Sequence, residues 1–272
     1  MTAISLRPAA SPGVALRTLA SEMAKGLRLM WVRRATLVMS SVTLAMMYLM
    51  IEFFVGGGHV NHAVLTATLP ALFAYAVAGT ASLQGSGGVA EEVNGGTMEQ
   101  AQLSPARPTL LVLGRLGAVA TEGLIPAVAL VAIFWAGFGV HYTVRPEELV
   151  PLLLTIADAA AYGLLMIALT LAVSSIGALM DVFNMMVMFF GGMFVPGTAF
   201  PHGVEVFARF VPTTLGVVVL NSTLAGRGLG AAWANGTLPW LLAHIAVLGT
   251  AGWAAYLYSI RRALRNGGLN PR

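Results

Sequence analysis

Glu91-Glu92-Val93-Asn94-Gly95-Gly96-Thr97-Met98-Glu99-Gln100-Ala101-Gln102-Leu103-Ser104-Pro105 is a polar passage between two long apolar runs. Thr97-Met98-Glu99-Gln100 fits a capping box, with a hydroxyl at the N-cap and an amide side chain at N3. Gly95-Gly96 interrupts the chain just before it, and Pro105 stops a helix at about Ser104. The spacing predicts a short helix between two breakers, lying flat at one membrane surface. So short a helix is not stable alone in water. It needs a partner surface, either the chain's own membrane helices or another protein.

Composition sets the frame around this passage. The chain has 272 residues, 57% hydrophobic and 10% charged, and a mean hydropathy of +0.81. Soluble domains carry about 25% charged residues. With several apolar runs of about 20 residues, the reading is an all-α, polytopic membrane protein. A lipid-facing β-barrel alternates with period two, and these runs do not. There is one membrane domain and no room for a second large soluble one. The net charge is +4, but the basic residues cluster beside apolar spans, which argues against nucleic acid as a partner. The absence of cysteine excludes disulfides and thiolate metal sites. No cleavable signal peptide is expected, because the first apolar run starts near Ala35 after a long basic segment.

Taken in order, residues 1–12 are rich in Pro, Ala and Ser and are expected to be disordered. From Gly13 to Arg34, Leu16, Leu19, Met23, Leu27 and Met30 recur at spacings of three and four, with Arg17, Lys25 and Arg28 off the stripe. This predicts an interfacial amphipathic helix. Six spans are expected: Ala35–Val55, Ala63–Leu83 with a kink at Pro70, Thr109–Ala136, Leu149–Val173, a fifth from near Val182 to Pro196, and Trp240–Tyr258. The Gly85-Ser86-Gly87-Gly88 stretch reads as the exit from span two. His59 and His62 lack a third ligand, so no metal site is read there. Val204–Val211 and Thr214–Leu224 are each too short to cross about 30 Å at 1.5 Å per residue, and read as a re-entrant pair on the outer side. The chain thus divides into a cytosolic N-terminal segment (1–34), a transmembrane domain (35–260) with a cytosolic loop (84–108) and an outer region (197–238), and a cytosolic tail (261–272). With the N-terminus inside, all fifteen Lys and Arg residues except Arg145, Arg209 and Arg227 fall on the inner side, as the positive-inside rule requires. No internal repeat of the kind common in secondary transporters is visible.

Catalytic chemistry is not read in the chain. Its one lysine, Lys25, stands in Met23-Ala24-Lys25-Gly26-Leu27 and is not part of G-x-x-x-x-G-K-[ST]. No Ser-His-Asp or H-E-x-x-H arrangement is present, and no metal site. If ATP drives this protein, the ATPase is a separate polypeptide. Two carboxylates fall near mid-span, Glu122 in span three and Asp158 in span four. Each costs about 2.5–3.5 kcal/mol on insertion scales, so each faces protein or water. They either line a substrate path or hold a proton, or they fix the bundle by interhelical hydrogen bonds; for Glu122, capping a kink at Pro126 is the structural alternative. Met186 and Phe190 join them as candidate path residues, in a span whose methionines (Met185, Met186, Met188) make a soft surface. Glu52 is expected at headgroup level, and His244 as a hydrogen-bonded core histidine.

Glu92, Gly96-Thr97-Met98-Glu99-Gln100 and Leu103-Ser104-Pro105 together resemble the cytosolic loop of membrane subunits of type-2 ATP-binding-cassette (ABC-2) exporters. Gly191-Gly192-Met193-Phe194-Val195-Pro196, Phe200-Pro201 and Pro212-Thr213-Thr214 resemble the same family's outer region. One departure is Asn221, where the family often has an arginine. The resemblance implies that Glu91, Glu92, Gly96, Thr97, Met98, Glu99, Gln100 and Leu103 couple the chain to an ATPase. It implies a half-transporter in the plasma (inner) membrane, both termini cytosolic, paired with a second permease subunit as homo- or heterodimer and with two copies of an ATPase subunit. ATP and Mg would sit on that partner, with no cofactor on this chain. The implied activity is export of a hydrophobic or amphipathic compound, such as a drug, antibiotic or lipid-linked molecule; polysaccharide or lipooligosaccharide export is the alternative within the family. An ion-coupled secondary carrier using Glu122 and Asp158, and a non-transporting anchor or immunity subunit, are the alternatives outside it.

Overall fold

The computed structural model describes residues 12–96, 108–140, 142, 145–173 and 177–265. Among the described residues every regular element is helical. In chain order these are α1 (Pro12–Val32), α2 (Arg34–Val55), α3 (His62–Asn94), α4 (Pro108–Phe138), α5 (Leu149–Ala172), α6 (Gly177–Phe190), α7 (His202–Ala208), α8 (Thr214–Leu224), α9 (Gly228–Ala234) and α10 (Thr237–Arg265), with 3-10 turns at Pro146–Glu148 and Gly197–Ala199. Five helices are long and apolar enough to cross a membrane: α2, α3, α4, α5 with its leading turn, and α10.

The breaks between helices follow local chemistry. Arg33 alone separates α1 from α2. Gly57 and Gly58 adopt φ of +64° and +91°, a conformation cheap only for glycine. Asn61 then caps α3, its Oδ1 accepting from the amides of Ala63 and Val64 at 2.9 and 3.4 Å, as N-cap residues do.

α3 is the axis of the fold. It packs on α4, α5, α6 and α8, while α5 packs in turn on α10. Two thirds of its most apolar stretch is buried (67%), against 11% for α2. The helix–helix seams are close because small residues face each other. A Cβ on Gly163 of α5 would come 2.8 Å from the Ala81 Cβ of α3. Such small-residue seams are how membrane helices approach closely where lipid offers no hydrophobic drive. The main core runs between α2, α3, α4, α5 and α6 and includes Tyr48, Leu65, Leu72, Phe134, Tyr162 and Met166.

Two expectations need correction. Residues 85–88 do not end the second span: α3 runs on to Asn94, 33 residues in all. Gly85 lies against Ile167 of α5, where a Cβ would sit 3.1 Å from its Cδ1, so packing overrides the poor helix propensity of glycine. At 1.5 Å per residue α3 is about 50 Å long and outruns a hydrocarbon slab of about 30 Å. The fifth span is a 14-residue helix, α6, starting at Gly177 rather than near Val182. Its length is about 21 Å, short of the slab. The expected pair of short helices after Pro201 is present as α7 and α8.

Candidate functional site

The end of α3 that extends past the apolar slab meets the start of α4 and the flank of α1. α1 lies along α4 at a seam of small residues, where a Cβ on Gly26 would collide with the Ala118 Cβ. The first helix therefore presents Thr18, Glu22, Gly26 and Met30 as its half-buried face. Of the expected apolar stripe, Leu19, Leu27 and Met30 are half-buried, while Leu16 and Met23 are exposed.

This docking brings cations from two helices onto two adjacent acids. Lys25 Nζ donates to Glu92 Oε1 at 2.7 Å, and Arg115 of α4 donates to Glu92 Oε2. Arg33, at the α1–α2 break, donates to Glu91 Oε2 and, at 3.4 Å, to Gln84 Oε1. Glu92 and Arg115 are mostly buried, at 17% and 19% side-chain exposure, whereas Glu91 is 66% exposed. Two charges that share a partly dry site interact more strongly than a surface pair, which contributes about 0–1 kcal/mol. Glu92 therefore ties α1, α3 and α4 into one joint, and Glu91 adds a solvent-facing clasp. α3 then ends with Gly96 at φ +68°, its amide donating to the Val93 carbonyl, a left-handed glycine terminus common at helix ends. Thr97, Met98, Glu99, Gln100 and Leu103 lie outside the described residues. The chain leaves for them from this joint and returns to it at Pro108.

Glu122 faces the same end. It is buried and lines a cleft with Glu22, Arg33, Gln84, Glu91 and Arg115. Asp158 is not among the walls of that cleft. It is wholly buried, its Oδ2 accepting from the Thr213 amide at 2.7 Å and its Oδ1 lying 2.9 Å from His244 Nδ1. His244 Nε2 lies 3.1 Å from the Phe210 carbonyl oxygen. Both partners of the imidazole are oxygens, so satisfying both needs a proton on each side of the ring, shared at Nδ1 with the acid. The cluster joins α5, α10 and the α7–α8 turn. That turn contains Thr213, the one described non-glycine residue with positive φ, at +70°. Left-handed backbone costs a β-branched residue energy, and the carboxylate helps hold it there.

Glu52, expected at headgroup level, faces the helix bundle. It is fully buried, facing α3, where Thr68 Oγ1 donates to its Oε1 and also lies 2.7 Å from the Tyr48 hydroxyl. Tyr48 and Glu52 are the buried residues of α2, and their spacing of four puts both on one face.

At the opposite end of α3, Pro70 lies inside the helix and has no N–H to give the Thr66 carbonyl. Tyr142 donates its hydroxyl to that oxygen at 2.7 Å, and Asn221 Nδ2 donates to the neighbouring Ala67 carbonyl at 2.8 Å. Burial pushes the Tyr142 phenol well above its ordinary value, so it remains a donor. Phe190 lines a cleft of about 480 Å³ here, beside Thr66, Tyr142 and Asn221. Met186 is half-buried one turn away on α6. The clasp between the Pro70 kink, Tyr142 and Asn221 was missed in sequence; the proline is the signal for an orphan carbonyl, but nothing local points to its donors.

A comparison with curated proteins finds none that matches the chain. Residues 49–254, about three quarters of the chain, match the family model described as ABC-2 family transporter protein. The match spans α3 to α9, the last third of α2 and much of α10, and with them both acids of the joint. With five apolar helices of membrane-crossing length, this is a multi-pass membrane protein, and the chain belongs to the ABC-2 family of transporter proteins.

Proposed function

We propose that this chain is the permease subunit of an ATP-driven exporter, and that Glu91–Leu103 is its handle on a separate ATPase. The observation behind this reading is the joint at Glu92. Three helices are bound together by Lys25, Arg115 and Arg33 at the point where the chain departs for Thr97–Ser104. A lever must be stiff at its root. A short helix docked in an ATPase transmits movement only if its anchorage does not yield, and α3 extends past the slab to give such an anchorage.

In this reading the α3–α4 end faces the cytosol, in line with the distribution of Lys and Arg. The protein sits in the plasma membrane with both termini inside. Two permease subunits enclose the path, and α6 with the turn that follows completes a sixth, shortened crossing. α7 and α8 form the outer re-entrant pair, pinned by Asp158 and His244. The cargo is a hydrophobic or amphipathic compound. ATP and Mg bind the partner, and this chain performs no catalysis.

The test is Gln100→Pro, measured with the ATPase in the same vesicles. Proline in the middle of a short helix removes it at a cost of about 3 kcal/mol. The expected result is normal insertion, continuing ATP hydrolysis and loss of ATP-driven movement of cargo. Normal movement would show that Thr97–Ser104 is not the handle.

A further inference from the structure

A second cleft, of about 440 Å³, lies between α3, α4, α8 and the start of α5. Its walls include Phe73, Trp135, Tyr142, Leu149 and Leu152, and one acid, Glu148. Glu148 is only 5% exposed, and neither of its carboxylate oxygens has a hydrogen-bond partner among the described residues. It closes the 3-10 turn that leads into α5, and its side chain makes no capping bond there. The nearest basic residue in sequence, Arg145, is turned to Glu147 at 3.6 Å. A bare carboxylate out of water costs several kcal/mol unless a cation or donors meet it. Among the described residues the chain supplies neither. Trp135 and Leu149 are each about half exposed, so the cleft is open on the outer flank of the bundle, where membrane-dissolved molecules can enter sideways.

We propose that this cleft binds a lipophilic organic cation, its apolar body against Phe73, Trp135 and Leu152 and its positive centre at Glu148. The volume falls in the range of about 300–1,000 Å³ typical of small-molecule sites. The aromatic faces favour a cation over a neutral molecule of the same shape. A metal ion does not fit the walls, which offer it no second carboxylate. The inference deepens the exporter reading by naming a cargo class, and rests on that reading only for the direction of movement.

The test uses the full chain in phosphatidylcholine nanodiscs without any ATPase. The probe is tetraphenylphosphonium, with tetraphenylborate as its counterpart of like shape and opposite charge. The expected result is saturable phosphonium binding above that of empty discs and no borate binding. Glu148→Gln should weaken phosphonium binding by about tenfold or more, the loss of one charge-assisted contact. Ala132→Trp, which fills the cleft from α4, should abolish binding while the melting temperature stays near that of wild type. Equal affinity in Glu148→Gln, or equal binding of the borate, overturns the proposal. So does absence of saturable binding, which would mean that a second copy covers the cleft. Displacement of the phosphonium by phosphatidylethanolamine in the discs would likewise overturn it, assigning the cleft to a lipid headgroup. Failure of binding leaves ATP-driven export to be judged by the Gln100→Pro vesicle assay; binding without ATP-driven movement keeps the site and removes the exporter reading.

Discussion

Glu92 and Glu148 are two acids at opposite ends of the bundle, both largely withdrawn from solvent. Glu92 has a cation on each oxygen, from α1 and from α4. Glu148 has nothing on either among the described residues. The contrast separates two uses of a charge in an apolar protein. A paired acid fixes helices to one another, and its cost is offset inside the chain. An unpaired one leaves the cost outstanding until something from outside meets it. Asp158 is the middle case, as buried as Glu148 and as well partnered as Glu92.

Asp158→Ala should have the largest effect on folding. It strands His244 and frees the strained Thr213 turn, and breaking a buried pair costs about 3–5 kcal/mol. Thermal unfolding in detergent measures this, and a melting point equal to wild type would deny the cluster a structural role. Arg115→Gln comes next. It takes the α4 cation from the mostly buried Glu92, for a loss of about 2 kcal/mol, between exposed and buried pairs, and should loosen α1 from α4 in hydrogen exchange of residues 14–30. Glu148→Gln should move the other way. Removing an unpaired buried charge should stabilise the ligand-free protein by about 1 kcal/mol; a loss instead would show that a partner holds Glu148 in place. Glu91→Gln should change least, by under about 1 kcal/mol, because that acid is mostly exposed.

The sequence exposes some of this and conceals the rest, for physical reasons. The limits of α2, α4 and α5 follow from runs of apolar residues and their breakers, and each lies within two residues of the expected span at both ends. The short helices α7 and α8 follow from Pro201 and Pro212. By contrast, the continuation of α3 through Gly85 and Gly88 depends on Ile167, far away in sequence, and no local propensity reports it. Glu52 looked like a headgroup residue by depth, which says nothing about the side it faces; Thr68 and Tyr48 decide that. The pairing of Asp158 with His244 joins residues 86 apart and leaves no periodic trace. Glu148 is the plainest case. At the edge of a loop and an apolar run it reads as an ordinary helix-start acid, and only the structure shows it buried in a cleft with no partner among the described residues. Glu91 and Glu92 were visible as part of the polar passage; the cations that make them a joint were not.

The absence of cysteine from the chain makes the most direct test simple. A single cysteine is placed at Gln100, and another, in a separate variant, at His59. Both are treated with a membrane-impermeant maleimide in intact cells and in inside-out vesicles, with and without the ATPase subunit. The account predicts that the Gln100 position reacts only in inside-out vesicles and is shielded when the ATPase is bound, while the His59 position reacts only in intact cells. Reaction at the Gln100 position in intact cells, or indifference to the ATPase, would contradict it.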